Sequence, residues 1–206
     1  RVSAEARIPV IKHLDGNCHI YIDKTADIKK AMSITINSKT QRYGVCNAME
    51  TLLIHKSFPK KHITKILNKY KEIGVEIRGC KNLIKISSDI ILAKETDWFE
   101  EYLSPIIAIK VVDSIDDAIN HIGEYGSLHT DAIIASDKTM INKFKRLVNS
   151  SSVMINTSTR FADGFEYGLG AEIGISTDKL HVRGPVGFEG LTNLKYIVSS
   201  QGKLKN

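Results

Sequence analysis

Short apolar segments that alternate with amphipathic helical ones predict an α/β domain on an at least partly parallel sheet. Two observations carry the prediction. The 206 residues are 42% hydrophobic and 25% charged, which suits one large globular domain, or one domain plus fragments of another, and argues against disorder. The apolar positions also switch between a period near 3.6 and short continuous runs, as helices crossing between buried strands require.

His19–Ile22 reads as a short strand, and Asp23 to Asp27 as a turn and helix cap. A helix is expected from Ile28 to Ser38, with a break over Gln41–Gly44. Thr51–Ile54 is a buried strand. Pro59 opens a helix whose Ile63, Ile66, Leu67, Tyr70 and Ile73 keep one face, and Gly74 stops it. Val75–Ile77 and Ile106–Val112 are strands, and Ile115–Ile122 is a helix ending near Gly123. Then come strand Ala132–Ala135, helix Lys138–Val148 and strand Val153–Asn156. From Asp163 to Gly190 glycine recurs without a period, which predicts loops serving a site or an interface. Lys195–Ser199 reads as a terminal strand, and there is no internal repeat or low-complexity linker.

No apolar run is long enough to cross a bilayer; the densest, Ile106–Val112, contains Lys110. The first residues carry no signal-peptide core and the chain starts at Arg1, so a piece of a longer cytoplasmic protein is expected. Cys18, Cys46 and Cys80 stand far apart, which argues against a disulfide framework and a zinc site. The net charge of +6 comes from dispersed lysines. Their densest group, Lys60, Lys61, Lys65, Lys69 and Lys71, fits a solvated helix face better than a nucleic-acid patch, and phosphorylated or acidic substrates suit the charge equally well.

Gly44-Val45-Cys46-Asn47-Ala48 is the segment able to carry chemistry. A thiolate is stabilised by backbone N–H groups at a turn, and Gly44 permits a sharp bend that aims such groups at a developing oxyanion. A lone cysteine after glycine is more often structural than catalytic, so the residues themselves leave the choice open.

The surrounding Lys39-Thr40-Gln41-Arg42-Tyr43-Gly44-Val45-Cys46-Asn47-Ala48-Met49-Glu50-Thr51 resembles the nucleophile segment of the gamma-glutamyl phosphate reductase family, in the aldehyde dehydrogenase superfamily. Similarity continues at Ile8-Pro9-Val10, His13 to His19, Tyr125-Gly126-Ser127 and His129 to Ala132. It is densest from Asn156 to Thr177 and ends with His181, Arg183 to Gly187 and Glu189 to Leu191. Only 59–98 lacks distinctive matches.

The resemblance implies an aldehyde dehydrogenase-like catalytic domain, a three-layer αβα sheet, with the cofactor domain mostly outside the chain. On that basis residues 1–16 would end the NADP-binding domain, 17–172 would form the catalytic domain, and 173–206 would be a C-terminal return segment with an oligomerisation strand. The chain alone should then bind NADPH poorly and not turn over. The implied reaction reduces L-glutamate 5-phosphate to glutamate 5-semialdehyde with NADPH, in proline biosynthesis, through a Cys46 thioester. A homo-oligomer and a functional coupling to glutamate 5-kinase are expected, with no nucleic acid, membrane or metal.

Glu101 opens Glu101-Tyr102-Leu103-Ser104-Pro105, similar to the superfamily segment whose glutamate holds the nicotinamide ribose; an ordinary solvated acid is the alternative. Arg160 is a candidate for gripping a substrate carboxylate or phosphate bidentately, or else for tying down the glycine-rich loop through backbone carbonyls. Ser158, Thr159 and Phe161 would shape the same pocket, and Arg42 would steer phosphate. Hydrolytic relatives carry a water-activating glutamate in Glu-Leu-Gly-Gly where this chain has His13-Leu14-Asp15-Gly16, which fits an enzyme that must not hydrolyse its thioester; a packing role for His13 stays open. Three other readings remain: an acylating dehydrogenase for another acyl phosphate or an acyl-CoA, an inactive structural or regulatory module, and a papain-like protease.

Overall fold

The computed structural model describes residues 1–179 and 181–205. Helix α1 (Val2–Glu5) precedes β1 (Cys18–Ile22), α2 (Ile28–Thr40), β2 (Met49–His55) and α3 (Lys60–Glu72). Next come β3 (Glu76–Gly79), α4 (Lys81–Ile84), β4 (Ile91–Leu92) and β5 (Ile106–Val112). Helix α5 (Ile115–Tyr125), β6 (Thr130–Ile134), α6 (Lys138–Leu147) and β7 (Ser152–Ile155) complete the body. Seven strands form one sheet in the order β4-β3-β5-β2-β1-β6-β7, every neighbouring pair parallel. Two short strands, β8 (Gly174–Ser176) and β9 (Gly184–Val186), pair antiparallel in the C-terminal part.

The alternation of side chains builds three layers. Ile20, Ile22, Leu52 and Ile54 point to the face covered by Ala31 of α2 and by Ile63, Ile66, Leu67 and Tyr70 of α3. Tyr21, Leu53 and Ile133 point to the other, against Ile115, Ala118 and Ile122 of α5 and Phe144 of α6. Strands buried on both faces read as continuous apolar runs, and helices on both faces make the αβα sandwich that the family resemblance implies. Caps set the helix starts: Asp27 accepts from the Lys30 amide, Ser114 from Asp117, and Asp137 from Thr139 and Met140. Gly74, at φ +77°, ends the run of α3.

Several expectations need correction. Helix α5 does not stop at Gly123 but runs to Tyr125, whose ring lies 4.4 Å from His121, so packing outweighs the glycine penalty. β2 begins two residues early because β1 and β2 are joined by a bulge: Cys18 faces Met49 and His19 faces Thr51, which leaves Glu50 unpaired between them. Residues 195–199 form no strand within the chain; they are exposed, and a strand needs an edge to pair with. The lysine-rich face of α3 is solvated, with Lys69 paired to Glu72 and Lys71 to Asp89.

Candidate active site

Because the strands are parallel, their amino ends share one edge of the sheet, and the chemistry-bearing loops meet there. Cys46 lies in the turn that leads into β2, Gly16 just precedes β1, and Glu101 lies in the loop before β5. Open parallel sheets more often place ligands at the carboxyl ends of their strands, so the use of this edge is a property of the particular loops.

The Cys46 backbone is held closely. A Cβ on Gly16 would collide with the Cys46 carbonyl, so only glycine allows the approach. The Cys18 thiol donates to the same carbonyl at 3.1 Å. The Asn47 side-chain amide donates to the Ala162 carbonyl at 2.9 Å, bringing the chain after β7 to this edge. Cys46 itself is half-buried. Burial pushes its thiol pKa up, and the nearby carboxylates of Glu172 and then Glu101 push it further; its own backbone N–H and Arg160 pull it down. The turn amides that were expected to favour the thiolate are therefore outweighed by burial and two anions.

Glu101 is half-buried. Burial raises its pKa and Asp15 adds to the effect, while the Gly16 backbone N–H lies close enough to pull the carboxylate pKa down. This carboxylate is partly withdrawn from solvent and acts electrostatically on the Cys46 thiol. Arg160 donates through Nε to the Gln41 side chain at 2.8 Å, so its described partner is a side chain of the Cys46 turn and not a loop carbonyl. Burial and the neighbouring Arg42 lower the Arg160 pKa, while Asp163 and Cys46 oppose that. Arg160 thus feels both the Arg42 charge and the Cys46 thiol, while Arg42 itself is exposed.

Ser158 and Thr159 are buried against α2: the Ser158 and Ser38 hydroxyls are 3.0 Å apart, and the Thr159 amide donates to Ser38 at 3.2 Å. Their contacts fix the turn that carries Arg160. Phe161 is about half exposed. His13 is half-buried with Nδ1 3.1 Å from the Asp15 carbonyl and its ring edge-on to His129 at 5.5 Å.

Sequence reading missed Glu172, Gly16 as a packing residue, and the buried pair of Lys39 with Glu50. Glu172 accepts from the Gly164 amide at 2.8 Å, and its only sequence signal is an acid inside a glycine-rich run. Glu50 had a better one, a charge near the head of an apolar strand. A cleft of 1240 Å³ lies elsewhere, lined in part by Tyr167, Leu169, Arg183, Pro185 and Phe188, and none of the predicted site residues lines it. Among the described residues no three His, Cys, Asp or Glu side chains stand close enough to hold a metal, and no helix is long and apolar enough to cross a membrane.

No protein-family model matches the chain. Among solved structures, it is similar to gamma-glutamyl phosphate reductase of Thermotoga maritima, with 44% identity and a TM-score of 0.96 over 100% of this chain and 50% of that one. It is also similar to gamma-glutamyl phosphate reductase of Saccharomyces cerevisiae, with 39% identity and a TM-score of 0.57 over 76% of this chain and 39% of that one. An acetylating aldehyde dehydrogenase from Geobacillus thermoglucosidasius shares the fold, at 21% identity and a TM-score of 0.67 over 98% of this chain and 55% of that one. The chain therefore spans at most about half the length of these proteins. Matched from end to end by one such reductase, with Cys46 and its neighbours gathered on one edge of the shared sheet, the chain belongs to the gamma-glutamyl phosphate reductase family.

Proposed function

We propose that the protein containing this chain reduces L-glutamate 5-phosphate to L-glutamate 5-semialdehyde and inorganic phosphate with NADPH, in proline biosynthesis. The observation that carries this reading is Cys46, held by its backbone at the sheet edge and acted on electrostatically by Arg160 and Glu101. The Cys46 thiolate attacks the acyl carbon, forming the C–S bond as the C–O bond to phosphate breaks and the electron pair leaves with phosphate. Arg160 and Arg42 attract the anionic substrate and the departing phosphate, which guanidinium groups can grip in a bidentate manner. Glu101 fits the ribose-binding role its segment suggests: a half-buried carboxylate acts electrostatically on the Cys46 thiol. NADPH, when bound, supplies the hydride that reduces the acyl group. Collapse of the tetrahedral adduct on sulphur then releases the aldehyde and returns the thiolate. With His13 tied to the Asp15 carbonyl, no glutamate at that position activates water against the thioester.

In the same reading residues 1–16 end the NADP-binding domain, 17–172 are catalytic and 173–206 return to the cofactor domain. Residues 1–15 have no buried side chain, and Leu194, Tyr196, Ile197 and Val198 are exposed, which suits packing against a further domain and a second copy in a homo-oligomer. A labile acyl phosphate also calls for coupling to the glutamate 5-kinase that makes it. The test is NADPH formation from glutamate 5-semialdehyde and NADP⁺ by the complete protein, with and without phosphate. Phosphate-dependent activity that is lost in Cys46→Ser supports the reading. Activity that ignores phosphate points to another acylating dehydrogenase, and activity that survives the substitution removes the thioester.

A further inference from the structure

Two charged side chains lie wholly buried beneath the Cys46 turn. Lys39, in the last turn of α2, and Glu50, the unpaired bulge residue near the head of β2, meet at 2.5 Å with neither side chain exposed. Glu50 shares the alternation of Leu52 and Ile54 in β2, which puts its carboxylate on the α2 face of the sheet. The pair, eleven positions apart in sequence, closes the span that contains Gln41, Arg42, Cys46 and Asn47.

A second loop rests on the same pair. The Tyr102 ring centroid lies 5.8 Å from the Lys39 ammonium, and the Leu103 backbone is near enough to the Glu50 carboxylate to pull its pKa down. Leu103 sits at φ +50°, a left-handed conformation that a branched aliphatic residue seldom adopts without surrounding constraint. Glu101, the candidate ribose acceptor, is two residues away. Stability alone explains this arrangement poorly. Burying two ions is costly, apolar residues of similar size often do as well, and Glu50 Oε1 still lacks a hydrogen-bond partner.

We propose that the Lys39–Glu50 pair is a positioning device that clamps the ends of the nucleophile turn and docks the Glu101–Leu103 loop on it, fixing the spacing between the Cys46 thiol and the Glu101 carboxylate. The inference rests on reading Cys46 as the nucleophile. Neither Lys39 nor Glu50 touches the reacting atoms in this account.

The test replaces both charges at once in the complete protein, Lys39→Met with Glu50→Leu, so that no buried ion is left unpaired. Cys46 alkylation by iodoacetamide is followed by mass spectrometry of its peptide, beside the thermal midpoint and steady-state kinetics. Release of the clamp exposes the thiol and relaxes the burial that raises its pKa, so alkylation accelerates about fivefold or more at neutral pH. Turnover number falls about tenfold while KM changes little, because aligned geometry is lost and not binding. A faster-reacting thiol in a slower enzyme is a combination that a purely structural pair would not produce. Alkylation within about twofold of wild type overturns the proposal whatever the kinetics do. If the double variant does not fold, Lys39→Met alone, which breaks the pair and lets Glu50 take up a proton, is judged by the same threshold. Absence of phosphate-dependent turnover in the wild type would instead sink the proposed reaction, leaving alkylation to decide the clamp.

Discussion

The body of the sheet and its amino edge are built by different means. In the body, Ile20, Leu52, Ile54 and their counterparts on the opposite face are held by buried area, and α2, α5 and α6 start at their own caps. At the edge, loops distant in sequence are held by single polar or steric contacts: Gly16 against Cys46, Cys18 onto the Cys46 carbonyl, Asn47 onto Ala162, and Arg160 onto Gln41. Burial by area tolerates repacking, whereas a contact made once has no substitute. The body should therefore determine whether the protein folds, and the edge whether it reacts.

Two substitutions separate these roles, the larger effect first. Phe144→Ala removes a fully buried ring from the α6 side of the sheet and is expected to cost about 3–5 kcal/mol, read from denaturant unfolding, with Cys46 alkylation below the transition unchanged. Gly16→Ala forces a methyl group into the Cys46 backbone and is expected to cost less, about 1–3 kcal/mol, while changing Cys46 alkylation and abolishing turnover. Equal effects of the two on alkylation would erase the distinction.

A finer comparison lies within the edge. Glu172 and Glu101 both raise the Cys46 thiol pKa and Arg160 lowers it. A thiol with a raised pKa carries less thiolate at neutral pH, so removing either anion should move the alkylation midpoint to lower pH and speed alkylation at neutrality. Glu172→Gln should shift it more than Glu101→Gln, and Arg160→Gln should shift it the opposite way. The pH profile of alkylation in the four proteins checks all three signs.

The same contrast explains what the sequence made legible. Local periodicity suffices for the body, and the strands and helices from 18 to 155 follow from it apart from short or marginal pieces. β4 and the β8–β9 pair escaped because two or three residues carry no period, and the bulge at Glu50 escaped because it exists only relative to β1. Lys195–Ser199 shows the reverse: an apolar run without an edge to pair with forms no strand within the chain. At the site, local chemistry points to the Cys46 segment but leaves its role open, and resemblance supplies that role together with Glu101, Arg42 and Arg160. Glu172, Gly16 and the Lys39–Glu50 pair acquire meaning only from contacts with residues far along the chain, which a single sequence does not display.

The central claim is that Cys46 carries the acyl group. The most direct measurement incubates the complete protein with glutamate 5-semialdehyde and NADP⁺ without phosphate, quenches in acid and maps cysteine adducts by mass spectrometry. The account predicts a glutamyl thioester on the Cys46 peptide that disappears when phosphate is added before the quench. An adduct on Cys18 or Cys80, or turnover with no adduct on Cys46 in a rapid quench, would contradict it.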